Sequence, residues 1–160
     1  MDVGCDLASS LQSVKNASEN EWCYAVVGIH PHEVSDIDEM EISLIEGLAK
    51  KGKVQAIGEI GLDYHYMHSP KDEQQKWFRK QIRLANKLKM PIVIHSREAA
   101  KDTMDILIED GAFSDERKGW FPKRTMRDGS EVPDARVLLH CYSGGVEQGM
   151  EYVKLGGTIS

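Results

Sequence analysis

The chain lacks most of what would place it in a specialised class. Its apolar runs fall far short of the roughly 18 residues that a membrane-spanning helix needs, so a helical span is excluded. Cysteine is scarce: Cys5, Cys23 and Cys141 stand far apart, with no CxxC pair. That excludes a disulfide framework and a cysteine zinc site, and it suits a reducing compartment. The opening MDVGCDLASS has neither the basic start nor the apolar stretch of a secretory signal, so the cytoplasm is the expected location. A basic surplus is missing too. With 20 Lys and Arg against 26 Asp and Glu, the formal net charge is −6, which excludes nucleic-acid binding by bulk positive charge. A bound cation or a local basic loop would still reverse the sign where it matters.

What is present is enough for one core. An apolar fraction of 41% in 160 residues fits a single domain spanning residues 1–160. Short apolar runs recur at Tyr24–Ile29, Val54–Ile60, Pro91–Ile94 and Arg136–Leu139, with GTIS last and a shorter DVGC first. They are continuous rather than alternating, as parallel strands covered on both faces are. Helical patterns lie between them. SPKDEQQKWFRKQIRLANKLK has Ser69 as its predicted N-cap, Pro70 at the first helical position and an apolar stripe broken only by Gln81. DEMEISLIEGLAKKG, REAAKDTMDILIEDG and VEQGMEYVKLGG are further helices, each ended by glycine. This alternation predicts an α/β fold of βαβ units around a parallel sheet. Gly111–Ala135, rich in Gly, Pro and charge, interrupts it and reads as an exposed excursion.

Four of the six histidines directly follow a strand run: His30 and His32 in VVGIHPH, His95 in PIVIHSR and His140 in RVLLHCYSG. Glu59 ends its own run in VQAIGEIGLDY, between Gly58 and Gly61. Groups at the carboxyl ends of neighbouring parallel strands converge on one crevice. Imidazoles plus a carboxylate are ligands for a divalent metal, and a cation would offset the cost of burying Glu59. The glycines would let backbone and metal approach closely. Taken singly, the same residues also fit a hydrogen-bonded rim, with Glu59 paired to Arg97 or to a helix N-terminus.

Other residues were open to two readings each. Asp63 fits either a turn or a hydrogen-bond acceptor behind a metal-bound histidine. His65 and His68, in LDYHYMHSP, read as solvated loop residues. Cys141 is expected to face away from His140 as a buried inert thiol, because neighbours on a strand point to opposite faces. Ser143–Gly145 is a common turn before a helix that can also hold a phosphate. RKGWFPKRTMR interleaves basic residues with aromatics, as single-strand binders do, although a loop packing its aromatics on the sheet would look the same.

The blocks GIHPHE, AIGEIGLDY, PIVIHSRE and LHCYSGG, in that order, resemble the TatD family of metal-dependent hydrolases. The likeness runs from about Val3 to Ser160, interrupted at the excursion. It implies a partial TIM barrel, about strands two to seven of eight. It also implies deoxyribonuclease- or exonuclease-like cleavage of phosphodiester bonds with one or two divalent ions, among which Zn, Mg, Mn and Ni are not distinguishable. The substrate would be a nucleic acid or a small phosphodiester, and no membrane partner is implied. Carried across by position, Glu59 is the catalytic, metal-bridging carboxylate, with His95 and His140 as metal-binding histidines. His30 then contacts the substrate phosphate or the attacking water, Arg97 is placed with the substrate phosphate, and Asp63 supports the ligands from behind. The family's first-strand His-x-His and last-strand E-T-D block have no counterpart here. Weakened metal binding is therefore expected, with a silent fragment associating through open barrel edges as one alternative. A barrel hydrolase for amides or lactones is the other.

Overall fold

The computed structural model describes Met1–Ser160. Strands β1 (Asp2–Val3), β2 (Ala25–Val27), β3 (Val54–Asp63), β4 (Ile92–Arg97), β7 (Val137–Leu139) and β8 (Thr158–Ile159) form one parallel sheet, in that order. Helices α1 (Leu7–Glu19), α2 (Glu39–Ala49), α3 (Lys71–Leu88), α4 (Ala100–Glu109) and α6 (Val146–Lys154) connect successive strands. The strand order never reverses. A doubly wound sheet reverses at a switch point, whereas unbroken sequential order is that of barrel staves. The outermost strands β1 and β8 each pair on one side only.

The apolar runs became strands because both faces are covered. All of β2 is buried, and Ile57, Ile60, Leu62, Ile92 and Ile94 are fully enclosed in a core cluster of 31 residues. Strands β3 and β4 extend further than their apolar runs suggest, to Asp63 and Arg97, and so carry polar side chains on a rigid pleat.

Helix α1 has no hydrophobic signature because its buried face is small and polar: Ser10, Ser13 and Ala17. The Ser10 hydroxyl donates to the Gly28 carbonyl and accepts from the Gly28 N–H, both at 3.2 Å, so the helix sits on the strand end without bulk. An Asp6–Ser9 capping box starts it.

Ser69 does not cap α3. Its hydroxyl donates to the His32 carbonyl at 3.0 Å and accepts from the Val34 N–H at 3.2 Å, tying two loops together instead. Gln81, the break in the stripe, is buried and brackets Ile29: its Oε1 accepts the Ile29 N–H at 2.8 Å and its Nε2 donates to the Ile29 carbonyl at 2.9 Å.

Between α4 and β7 lie a short helix α5 (Asp115–Lys118) and an antiparallel pair, β5 (Arg124–Thr125) with β6 (Glu131–Val132). This segment is anchored at the amino end of the sheet. Arg117 is 0% exposed, and its guanidinium donates to the carbonyls of Ala135 (2.8 Å) and Met90 (2.7 Å) and to Asn86 Oδ1 (2.8 Å). Trp120 and Phe121 lie against that guanidinium, at 5.9 and 5.3 Å from ring centroid to Cζ. The basic and aromatic residues here clamp the starts of β4 and β7, at the opposite end of the strands from the histidines.

Candidate metal centre

Backbone contacts explain the two glycines around Glu59. A Cβ at Gly58 would lie 2.6 Å from the Val93 Cβ, and one at Gly61, whose φ is +145°, would overlap the His95 carbonyl oxygen. Their smallness lets β3 and β4 close on each other, with Gly61 registered against His95. The close approach foreseen around Glu59 is thus between strands.

That register places the side chains. Glu59 Oε1 lies 3.4 Å from His95 Nδ1 and 3.2 Å from His140 Nδ1. With metal–nitrogen and metal–oxygen bonds near 2.1 Å, two ligands of a tetrahedral ion sit about 3.4 Å apart, so each of these separations suits a pair of donors on one ion. His95 is held from the other side: its Nε2 is 3.0 Å from Asp63 Oδ2, which is also 2.9 Å from His32 Nε2. A carboxylate on one imidazole nitrogen leaves the other free to ligate. Asp63 is also the turn residue, since its Oδ1 accepts the N–H groups of His65 (3.0 Å) and Tyr66 (2.9 Å). The turn role is thus filled, and the other oxygen of the same carboxylate contacts His95 and His32. Gln74, two turns before Gln81 on the same α3 face, brackets Asp63 as Gln81 brackets Ile29, with bonds of 2.8 Å to its N–H and 3.0 Å to its carbonyl.

His30 precedes a single turn, Pro31–Glu33, that contains His32, and His30 Nδ1 accepts the His32 N–H at 3.3 Å. His30, His32 and His95 bring one ligand atom each within 4.8 Å of one another, the one group of three donors compact enough to hold a metal ion. His32 was visible as a strand-end histidine but had been given no role; the HPH spacing, which puts both rings beside His95, was the available signal.

The remaining sequence candidates separate. Arg97 does not pair with Glu59; its guanidinium lies over the Tyr66 ring, 4.7 Å from the centroid. It lines a cavity of about 320 Å³ together with Ser96, Tyr142, Ser143 and Gly144. His65 and His68 are exposed, as expected, with His65 Nδ1 2.7 Å from Glu98 Oε1. Cys141 is neither buried nor turned away: it is exposed, with its Sγ 3.6 Å from His140 Nε2. The alternation argument lapsed because β7 ends at Leu139 and Cys141 sits beyond it at φ +49°.

The charges compete inside this cluster. Burial pushes the Glu59 carboxyl up, but hydrogen bonds from His95 and His140 outweigh it and hold the group below its ordinary value. Burial likewise opposes Asp63, and the Tyr66 N–H with His32 and His95 brings it well down. His95 is pushed down by burial and raised on balance by Glu59 and Asp63. His30 has no such partner, and burial, then its neighbours His95 and His32, lowers it to about 4.

Parallel staves in sequential order, with imidazoles and carboxylates gathered at their carboxyl ends, define a barrel-type α/β protein with a site able to hold a cation. The chain belongs to the TatD family: the family model described as TatD related DNase matches residues 1–160. The chain is 35% identical over 158 residues to the uncharacterized metal-dependent hydrolase YabD of Bacillus subtilis, covering 99% of this chain and 54% of that protein. It is 32% identical over 154 residues to the 3'-5' ssDNA/RNA exonuclease TatD of Klebsiella pneumoniae, covering 96% and 51%. It therefore spans about half the length of these relatives. Among solved structures, the TatD homolog YjjV of Escherichia coli superposes with a TM-score of 0.74 at 22% identity, over 98% of this chain and 53% of that one. A TatD family hydrolase from Entamoeba histolytica gives 0.70 at 23%, over 98% and 48%. Both likenesses support the TIM-barrel-like fold.

Proposed function

We propose that the chain carries a metal-dependent phosphodiesterase site acting on single-stranded nucleic acid. The observation that carries this reading is the shared Glu59 oxygen, 3.4 and 3.2 Å from the Nδ1 atoms of His95 and His140. Glu59, His95 and His140 hold the ion, and Asp63 accepts the far N–H of His95 so that Nδ1 keeps its lone pair for ligation. A divalent ion bound there supplies Lewis acidity toward a phosphoryl oxygen and acidifies a water. His30 is a neutral imidazole at pH 7, and since its Nδ1 accepts from His32, its proton is on Nε2, where it donates to a phosphate oxygen. Arg97 meets the next phosphate as a fixed positive charge. Single-stranded DNA or RNA is the substrate class named for the Klebsiella relative, and it suits a site whose cation, rather than the chain's net charge, attracts the polyanion.

The test is hydrolysis of labelled single-stranded DNA with Mn²⁺, Mg²⁺, Zn²⁺ or Ni²⁺ and with EDTA, beside an aryl ester and a lactone. Metal-dependent cleavage of DNA alone is expected; cleavage of the lactone alone would transfer the site to the amide and lactone hydrolases. Metal analysis of the purified chain is expected to find loosely held, substoichiometric metal. The cytoplasm is the compartment that goes with this reading, and the three unpaired thiols suit it. Self-association would use the unpaired edges of β1 and β8, and size-exclusion chromatography checks it.

A further inference from the structure

Tyr66 is an exposed ring on a fixed backbone. It is 53% exposed, yet its N–H is bound to Asp63, a carboxylate whose side chain is only 1% exposed and whose other oxygen holds His32 and His95. One buried charge thus sets both the histidines and the loop presenting this ring. Leaving much of a tyrosine ring in water forgoes the stabilisation that burying it would contribute, so stability does not account for the arrangement. The ring is also oriented. Arg97 lies over it at 4.7 Å, His68 runs near-parallel at 5.7 Å and 24°, and His32 meets its edge at 5.7 Å.

The surroundings give a direction. Beside His32 and His68 a cavity of about 560 Å³ is lined by Asp6, Glu33, Asp36 and Glu41, which repel phosphate. The Arg97 side offers a guanidinium and the Ser96 and Ser143 hydroxyls, and its acid, Glu98, is engaged by His65. A strand leaving the centre is steered toward Arg97 and so past Tyr66.

We propose that Tyr66 is a stacking platform for the nucleobase next to the phosphate held at the centre, which makes the site selective for strands with unpaired bases and indifferent to which base stacks. This deepens the phosphodiesterase reading and rests on it. Every base has a π-face, and one stack is worth roughly tenfold in affinity, about 1.4 kcal/mol.

The experiment measures fluorescence anisotropy of a 5'-labelled oligothymidylate and of its fully abasic counterpart, with EDTA and with Mn²⁺, alongside hydrolysis of the same strands. The wild-type chain is expected to bind the base-bearing strand about tenfold more tightly. Tyr66→Ala should erase that difference, while Tyr66→Phe and Tyr66→Trp retain it; where turnover is measurable, the Tyr66→Ala loss should fall on KM rather than kcat. The platform is overturned if Tyr66→Ala weakens both strands alike, if the wild-type chain does not distinguish them, or if it binds neither. A retained tenfold difference without hydrolysis sinks the phosphodiesterase reading alone; hydrolysis without the difference sinks the platform alone.

Discussion

The two ends of the sheet both draw charge out of water, and they satisfy it in opposite ways. At the amino end, Arg117 is fully enclosed and its partners are all neutral oxygens, three of them within 2.8 Å. Burial lowers it to about 10, still protonated at neutral pH. That set is closed: nothing else can enter it without breaking backbone contacts of β4 and β7. At the carboxyl end, Glu59, Asp63, His95 and His140 satisfy one another while the histidines stay half exposed, with side-chain exposures of 23% at His95 and 44% at His140. An ion bound there would be held in place of the two proton-mediated contacts of Glu59. A closed set of neutral partners marks a structural charge, and an open set of titratable partners marks a site.

The largest effect should come from breaking the open end. Glu59→Ala removes the oxygen common to two imidazoles, and we expect metal-dependent DNA hydrolysis to fall about a thousandfold, ~4 kcal/mol of barrier. The melting temperature should change little, because a half-buried carboxylate and its desolvation cost leave together. A similar loss from His68→Ala, which lies outside these contacts of Glu59, would remove Glu59 from its central role.

Arg117→Ala should invert that pattern. Three buried acceptors are left bare, and urea denaturation should show a loss of about 3–5 kcal/mol while activity per folded molecule is kept. Arg117→Lys should recover only part of it, since one ammonium cannot reproduce the planar fork. A fall in specific activity equal to that of Glu59→Ala would mean that the two ends are coupled and the contrast is wrong.

The glutamines of α3 both hold backbone at the carboxyl end, and they show what the sequence could and could not reveal. Continuous apolar runs named the strands of the sheet, because burial on both faces leaves no other composition. Glu59, His95 and His140 were legible for the same reason: each is a polar residue at the end of such a run. Helix α1 was not legible, since a face of Ser10, Ser13 and Ala17 carries no periodic apolar signal. Gln81 looked like a flaw because helical patterning counts apolar positions and cannot see a side-chain amide bracketing a backbone 52 residues away. Gln81→Leu should keep the volume and lose the bracket, leaving the Ile29 N–H and carbonyl buried and unpaired at a cost of about 2 kcal/mol. Because Ile29 precedes His30, a drop in oligonucleotide affinity should accompany it; an intact affinity would show that His30 is placed by other contacts.

The smallest effect tests a charge with neither enclosure nor a site around it. Glu46 joins α2 to α3, its Oε1 accepting from Lys50 and Lys87 at 2.8 Å each, and these hydrogen bonds hold its carboxyl down to about 2. A carboxyl whose folded value lies below its ordinary 4.5 adds stability that is complete above that value. The contribution is lost as pH falls from there through about 2. Glu46→Gln should therefore melt slightly lower than wild type at pH 7, with the two curves converging as the solution is acidified. Screening should act the same way, since both lysines are more than half exposed and solvated pairs contribute little in salt. Insensitivity of the difference to both acid and salt would place Glu46 with the enclosed charges such as Arg117, and exposure would no longer sort the charges of this fold.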